Sequence, residues 1–294
     1  MSPAERACQE AYRAYVIRNY RAHFGVSDLE RVDLVAEDWF HCDSRNDFRF
    51  EEVDRRIAVS GSGPKADSGG SRSTRFLDLA SGMGTATLRG LQRGFDGFGL
   101  EPDPEKLSLM RQRIAAGNFP AAWIARFARA VGEHLPYKNA SFDCVLSYQT
   151  LEHVQDLDAV VAEMLRVTRP GGALHLRCPD YRGTFEGHYL LPWLPLLPRP
   201  LARLWLRLRG RPVRGFADIH YTTKPALIRS LRAAAERMGM AIEIRDLEAE
   251  RLENRLREKG LPGWRGPALF WKALVYARRM FREDFQINLW VSVG

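Results

Sequence analysis

The chain has 294 residues, 45% hydrophobic and 27% charged, a globular composition that excludes a disordered or collagen-like protein. No run approaches the roughly 18 apolar residues of a membrane-spanning helix, and the charged start Met1–Arg6 carries no signal-peptide pattern. Four cysteines without CxxC or CxxH spacing argue against a zinc knot or a disulfide framework and fit a reducing cytoplasm, while the net charge of +8 reflects an arginine bias, only 6 of 44 basic residues being lysine, and carries little mechanistic weight.

Residues 5–24 read as a helix, with Tyr12, Tyr15, Val16 and Tyr20 at three- to four-residue spacing. An irregular stretch follows, carrying Trp39, Phe40, His41, Phe48 and Phe50. Ser60–Thr74 is small and polar and has too little apolar surface to fold alone. The domain plan is therefore a helical cap at 1–59, a flexible linker at 60–74, and one larger domain at 75–294. Within that domain, strands and helices alternate. Strands are expected at 75–80, 95–100, 121–130, 142–147, 173–177, 241–245 and 286–293, and helices at 85–93, 104–116, 157–168 and 225–238. Arg169-Pro-Gly-Gly172 is expected to stop the third of these helices. Such alternation implies parallel strands with crossover helices, an α/β doubly wound sheet of seven strands. Two insertions are expected, at 181–224 after the fifth strand and at 247–285 before the last.

The first strand ends Asp78-Leu-Ala80-Ser-Gly82-Met-Gly84-Thr85. Glycines there let backbone approach a ligand, and the following helix offers free N–H groups. The second strand ends at Glu101-Pro102, where a carboxylate can accept from both hydroxyls of a ribose. Thr87 stands where a dinucleotide fingerprint needs its third glycine. The order of Asp78, Gly82 and Gly84 resembles motif I of class I S-adenosylmethionine-dependent methyltransferases. The likeness continues through Gly99-Leu-Glu101-Pro-Asp-Pro, Val131-Gly132-Glu133-His-Leu-Pro-Tyr137 with Ser141-Phe-Asp143, Leu151-Glu-His-Val154, and Leu165–Gly172. These are typical of the small-molecule, UbiE/UbiG-like branch, and they cover residues 75–180. The resemblance implies a Rossmann-like sheet that binds S-adenosylmethionine and releases S-adenosylhomocysteine. It implies cofactor contacts from Asp78, Ala80, Gly82, Gly84, Glu101, Pro102, Gly132, Glu133, Ser147 and Gln149. Two positions depart from the pattern. Ala80 replaces a glycine, which a negative φ would tolerate. Val131 replaces an adenine-binding Asp, which shifts that contact to Gly132 or Glu133.

Ser147-Tyr-Gln-Thr150 is not the Asn/Asp-Pro-Pro-Tyr/Phe motif that grips an amino group on a base or an amide, so nucleic acid is disfavoured as acceptor. The expected acceptor is a small molecule or a glycan or lipid precursor, methylated at oxygen. RNA methyl transfer and a non-catalytic SAM-binding scaffold stay open as rivals. An oxygen acceptor can use a base, and His188 and His220 are the candidates, near Asp180, Tyr181 and Tyr221 in sequence. His153 reads as loop-ordering. No metal site is expected, because no His/Asp/Glu group shows ligand spacing. Segment 193–211 holds a proline-rich apolar run and then a helix with Leu201, Leu204, Trp205 and Leu208 on one stripe and Arg199, Arg203 and Arg207 on another. Six arginines and no acid lie between Arg199 and Arg214, a pattern of peripheral membrane contact or of a packed cap helix. The aromatics of the N-terminal cap and of 181–221 are expected to roof the acceptor pocket.

Overall fold

The computed structural model describes residues 2–26, 29–44, 47–59, 73–117, 119–258 and 285–294. Residues 60–72 of the expected linker and 259–284 of the second expected insertion lie outside them.

Helix α1 (Pro3–Asn19) starts with a capping box, Ser2 and Glu5 satisfying each other's backbone N–H, with Pro3 in its first turn. It runs into a π-helical turn, Tyr20–Phe24, closed by left-handed Gly25. The stretch expected to be irregular instead forms two helices, α2 (Leu29–Phe40) and α3 (Phe48–Val59). The reason is tertiary. Phe50, Val53 and Ile57 recur at helical spacing and pack on the sheet, a contact the local sequence does not announce.

Next come β1 (Arg75–Leu79), α4 (Thr85–Gln92), β2 (Asp96–Leu100) and α5 (Pro104–Ala116), the last capped by Asp103. The third strand is shorter than expected. A 3₁₀ helix occupies Ala121–Arg126, and β3 is only Phe127–Ala128. Phe119 and Trp123 turn onto the α4–α5 cluster rather than extending the sheet. Then follow β4 (Phe142–Tyr148), α6 (Leu157–Val167) and β5 (Thr168–Pro179). Arg169–Gly172 does not separate helix from strand. β5 begins at Thr168, paired with Phe142, and the register resumes at Cys144↔Ala173 with the intervening residues bulged.

The first insertion folds as a hairpin, β6 (Phe185–Glu186) and β7 (Leu191–Pro192), then α7 (Arg199–Leu208) and the short α8 (Arg214–Ala217). It has its own small core of Tyr181, Tyr189, Trp193, Leu206, Phe216 and Ile219. The chain continues through α9 (Lys224–Met238), β8 (Ile242–Asp246), α10 (Leu247–Glu258) and β9 (Gln286–Val293).

The large sheet has the order β3-β2-β1-β4-β5-β9-β8, parallel except for antiparallel β9. It is the expected seven-stranded doubly wound α/β sheet. Alternation along the strands builds two cores. Leu77, Leu79, Val145, Leu174, Leu176 and Leu289 face α6 and α9. Phe76, Cys144, Leu146, Ala173 and Trp290 face α3 and α10. The N-terminal segment thus supplies a helix to the second face of the sheet. The strand order reverses between β1 and β4, so a crevice opens there at their carboxyl ends.

Candidate active site

At the end of β1 the chain turns sharply. Ser81 N–H donates to Leu100 O (2.8 Å) and Gly84 N–H to Ser81 O (2.9 Å). Gly82 (φ +58°) and Gly84 (φ +79°) are left-handed, and a side chain at Gly82 would meet open space. Ala80 is left-handed too, with φ 56°, so the negative φ that would tolerate its methyl group is not met. Hard-sphere crowding disfavours that conformation for any residue with a Cβ, so the turn holds local strain here.

Glu101 is buried at the end of β2. Its two oxygens accept from Gly82 N–H (2.8 Å) and Asp103 N–H (3.0 Å), and Lys106 Nζ lies 3.5 Å away. A carboxylate offers about four lone-pair sites, so this one is held in place with acceptor capacity left for a ribose diol. Asp78 is buried and accepts from Thr87 Oγ1 (3.0 Å). Burial pushes its pKa up to about 6, against the pull of Arg49 and the Thr87 bond. Ser147 is fully buried, and its Oγ has no hydrogen-bond partner. Gln149 is left-handed (φ 53°), exposed, and anchored by its N–H to Arg177 O (2.7 Å). Pro102 is exposed and Gly132 packs against Val160. Glu133 Oε1 accepts from the N–H groups of Gln155 (2.9 Å) and Asp156 (3.3 Å), so this carboxylate orders the entry to α6. An open glycine turn, a buried carboxylate with spare acceptors and an orphaned Ser147 hydroxyl suit an adenosyl ligand with a charged amino-acid tail.

The N-terminal helices close over this end of the sheet. Tyr15 OH donates to Asp103 Oδ2 (2.7 Å), Arg18 pairs with Glu105, and Thr85 Oγ1 donates to Trp39 O. Between them and the first insertion lies a cavity of about 390 Å³. Tyr20, Phe24 and Trp39 line it from the cap, Tyr181, Phe185 and His188 from the insertion. Tyr12, expected in the roof, instead packs edge-on against Phe40 in the cap's own core (5.4 Å between centroids).

His188 is oriented by Glu186, Nδ1 to Oε1 at 2.8 Å, and faces His153, Nε2 to Nε2 at 3.2 Å. His153 Nδ1 lies 3.0 Å from Asp218 O. Glu152 stands beside them, fully buried, with no hydrogen-bond partner for either oxygen. Desolvation raises its pKa to about 7 and lowers that of His153 to about 4. For His188 desolvation opposes the charge, but Glu186 and Glu152 outweigh it and raise the pKa. His220 is not in the cavity lining. Its N–H donates to Glu152 O (2.7 Å), which fixes the Glu152 loop, while its Nε2 is buried without a partner. Glu152, His153 and Glu186 were not legible as site residues. The one signal was a Glu–His adjacency after β4 and a Glu-x-His spacing in the insertion.

Residues 77–176 match a methyltransferase domain family. Over 113 residues the chain is 40% identical to an uncharacterized methyltransferase of Mycobacterium sp. (strain KMS), covering 38% of this chain and 41% of that protein. Over 174 residues it is 32% identical to an uncharacterized methyltransferase of Mycolicibacterium vanbaalenii, covering 55% of this chain and 66% of that one. Phosphoethanolamine N-methyltransferase 2 of Haemonchus contortus, solved with S-adenosyl-L-methionine, is 16% identical with a TM-score of 0.47, covering 93% of this chain and 59% of that chain. The chain thus spans about two fifths of the length of the first of these relatives. With the glycine turn, the carboxylate at Glu101 and the strand order on which they sit, residues 77–176 are a methyltransferase domain of the class I, S-adenosylmethionine-dependent kind.

Proposed function

We propose that the protein transfers a methyl group from S-adenosylmethionine to an oxygen of a small-molecule, glycan-precursor or lipid-precursor acceptor. The observation that carries this reading is the cavity at the carboxyl ends of β4 and β5, where two imidazoles and two carboxylates converge. An amine or thiol acceptor needs only desolvation and alignment. A hydroxyl must also lose a proton as the C–O bond forms and the S–CH₃ bond breaks, leaving neutral S-adenosylhomocysteine. A cluster rich in imidazole and carboxylate serves that step. The aromatic walls exclude water from the sulfonium. Asp78, Glu101 and the turn at Gly82 would hold the cofactor, which supplies the electrophilic methyl.

Labelled S-adenosylmethionine incubated with a cell extract, followed by mass identification of the product, tests the reading. A methylated oxygen on a small or lipid-linked molecule supports it, while label in RNA, or no transfer, overturns it. Glu101→Gln should weaken S-adenosylhomocysteine binding at least tenfold in a calorimetric titration, since a charge-assisted hydrogen bond contributes about 1.5–3 kcal/mol. His188→Gln should abolish transfer and leave that binding intact.

A lipid-linked acceptor is favoured by one further observation. The stripe expected on α7 points outward: Ala202 and Leu206 are buried, while Leu201, Leu204 and Leu208 are 54%, 50% and 72% exposed. Leu194 and Leu196, in the segment that leads into α7, are also exposed, as are Arg203, Arg207 and Arg209 on or next to the helix. Arg199 is used otherwise, donating to Phe216 O and Ile219 O. An apolar crest bordered by guanidinium groups suits an anionic membrane surface, so we place 193–211 as a peripheral membrane contact of an otherwise cytoplasmic protein. No helix among the described residues is long and apolar enough to cross a membrane.

A further inference from the structure

We propose that Glu152, His153 and His188 form a divalent-cation site opening onto the acceptor cavity. The fold brings together residues 35 positions apart. Glu152 and His153 lie in the loop after β4, His188 in the β6–β7 hairpin, and one potential ligand atom from each lies within 4.8 Å of the others.

The hydrogen-bond partners decide how the two rings are oriented. His153 Nδ1 faces the carbonyl of Asp218, which can only accept, so that nitrogen carries a hydrogen. His188 Nδ1 faces the Glu186 carboxylate, which likewise accepts. In neutral rings both Nε2 atoms then present lone pairs to each other across 3.2 Å. Two facing lone pairs repel unless a proton bridges them or a cation takes its place, and the Glu152 and Glu186 carboxylates draw either positive centre there. The third group points the same way. Glu152 is fully buried, both its oxygens lack a partner, and Oε1 lies 4.0 Å from His153 Nε2. A buried, unpartnered carboxylate is costly, and a coordinated cation removes that cost.

The spacing suits one ion. Two imidazole nitrogens each about 2.1 Å from a cation stand about 3.0–3.4 Å apart at octahedral or tetrahedral angles. The outer contacts match as well. Metal-bound imidazoles donate their second N–H to a carboxylate or a backbone carbonyl, and here Glu186 and Asp218 O are in those places. Glu186 is itself fixed, accepting from Tyr189 N–H (2.7 Å) and Tyr181 OH (3.3 Å). Two nitrogens and one carboxylate select a first-row transition ion such as Zn²⁺, Mn²⁺ or Co²⁺ and leave coordination positions open. His153 and His188 line the cavity, so those positions face an incoming acceptor oxygen. This deepens the oxygen-acceptor reading, since a cation-bound hydroxyl releases its proton more readily. Cation binding itself does not depend on that reading.

Chelator-stripped protein should be titrated with Zn²⁺ by calorimetry and with Co²⁺ by visible absorption. The expected result is one equivalent bound, with Co²⁺ ligand-field bands of a nitrogen–oxygen site. His188→Gln and His153→Gln should each lower affinity by at least about a hundredfold, and Glu186→Gln by about 10–100-fold. Circular dichroism melts check that each variant folds, and the more exposed His153 keeps the test informative if the half-buried His188 variant does not. Folded protein that binds no equivalent, or binding unchanged in His153→Gln, overturns the site. S-adenosylhomocysteine titration reports separately on the methyltransferase reading, so the two can fail independently.

Discussion

Ala80 holds a left-handed backbone with an L side chain, at a cost of about 1–2 kcal/mol. Ala80→Gly should therefore raise stability by about 1 kcal/mol in urea unfolding, despite the extra freedom glycine gives the unfolded chain. A loss of stability would mean that the methyl group packs usefully in the turn. His175 offers a second test. It is buried in β5, accepting at Nδ1 from Tyr148 OH (2.6 Å) while Nε2–H donates to Asn288 Oδ1 (3.1 Å). Desolvation lowers its pKa to about 4, more than the Asn288 bond and Glu52 raise it. Because the unfolded chain takes up a proton near pH 6.5 and the folded one near 4, stability is fully present above 6.5 and falls as pH drops through this window. Asp78 acts in the opposite sense between about 4 and 6. The comparison of wild type with His175→Gln isolates the imidazole, and the wild type should lose more stability than the variant from pH 6.5 to 4.

Among the elements, α3 changes the status of the N-terminal segment. Phe50 is fully buried, meeting Phe76 at 5.3 Å and Phe95 at 5.1 Å between centroids. Glu52 on the same helix pairs with Arg56, which reaches Glu250 of α10. This segment completes the sheet's second layer rather than sitting apart as a cap. Phe50→Ala should cost about 3–5 kcal/mol, measurable as a lowered midpoint of one cooperative transition. A small effect would mean that α3 is peripheral after all. The first insertion is built on another plan. Its aromatic core seats the hairpin that carries His188, while α7 turns Leu201, Leu204 and Leu208 away from the protein.

At the scale of the whole molecule, a net charge of +8 and an arginine-edged leucine crest act together. In the proposed membrane contact, charge would attract the protein to an anionic bilayer over about a Debye length, and the leucines would then bury. The double substitution Leu201→Gln, Leu208→Gln should leave thermal stability within about 0.5 kcal/mol, because both side chains are exposed. It should also reduce co-sedimentation with phosphatidylserine vesicles severalfold, and added salt should weaken what remains. Vesicle binding unchanged by the substitution would remove the crest as the contact. The doubly wound α/β class of the sheet and the glycine turn were readable from the sequence, because both are written locally. Strand alternation has a period of two, α5, α6 and α9 carry their own caps, and Asp78, Gly82, Gly84 and Glu101 lie at or just after the ends of two consecutive strands. The helical state of 29–59, the shortness of β3 and the outward face of α7 were not readable, because each depends on which distant surface is available to bury a side chain. The same holds for the proposed cation site. His153 and His188 acquire meaning only when the hairpin after β5 folds back onto the loop after β4, for a ligand set is defined by distance in space and sequence spacing does not encode it.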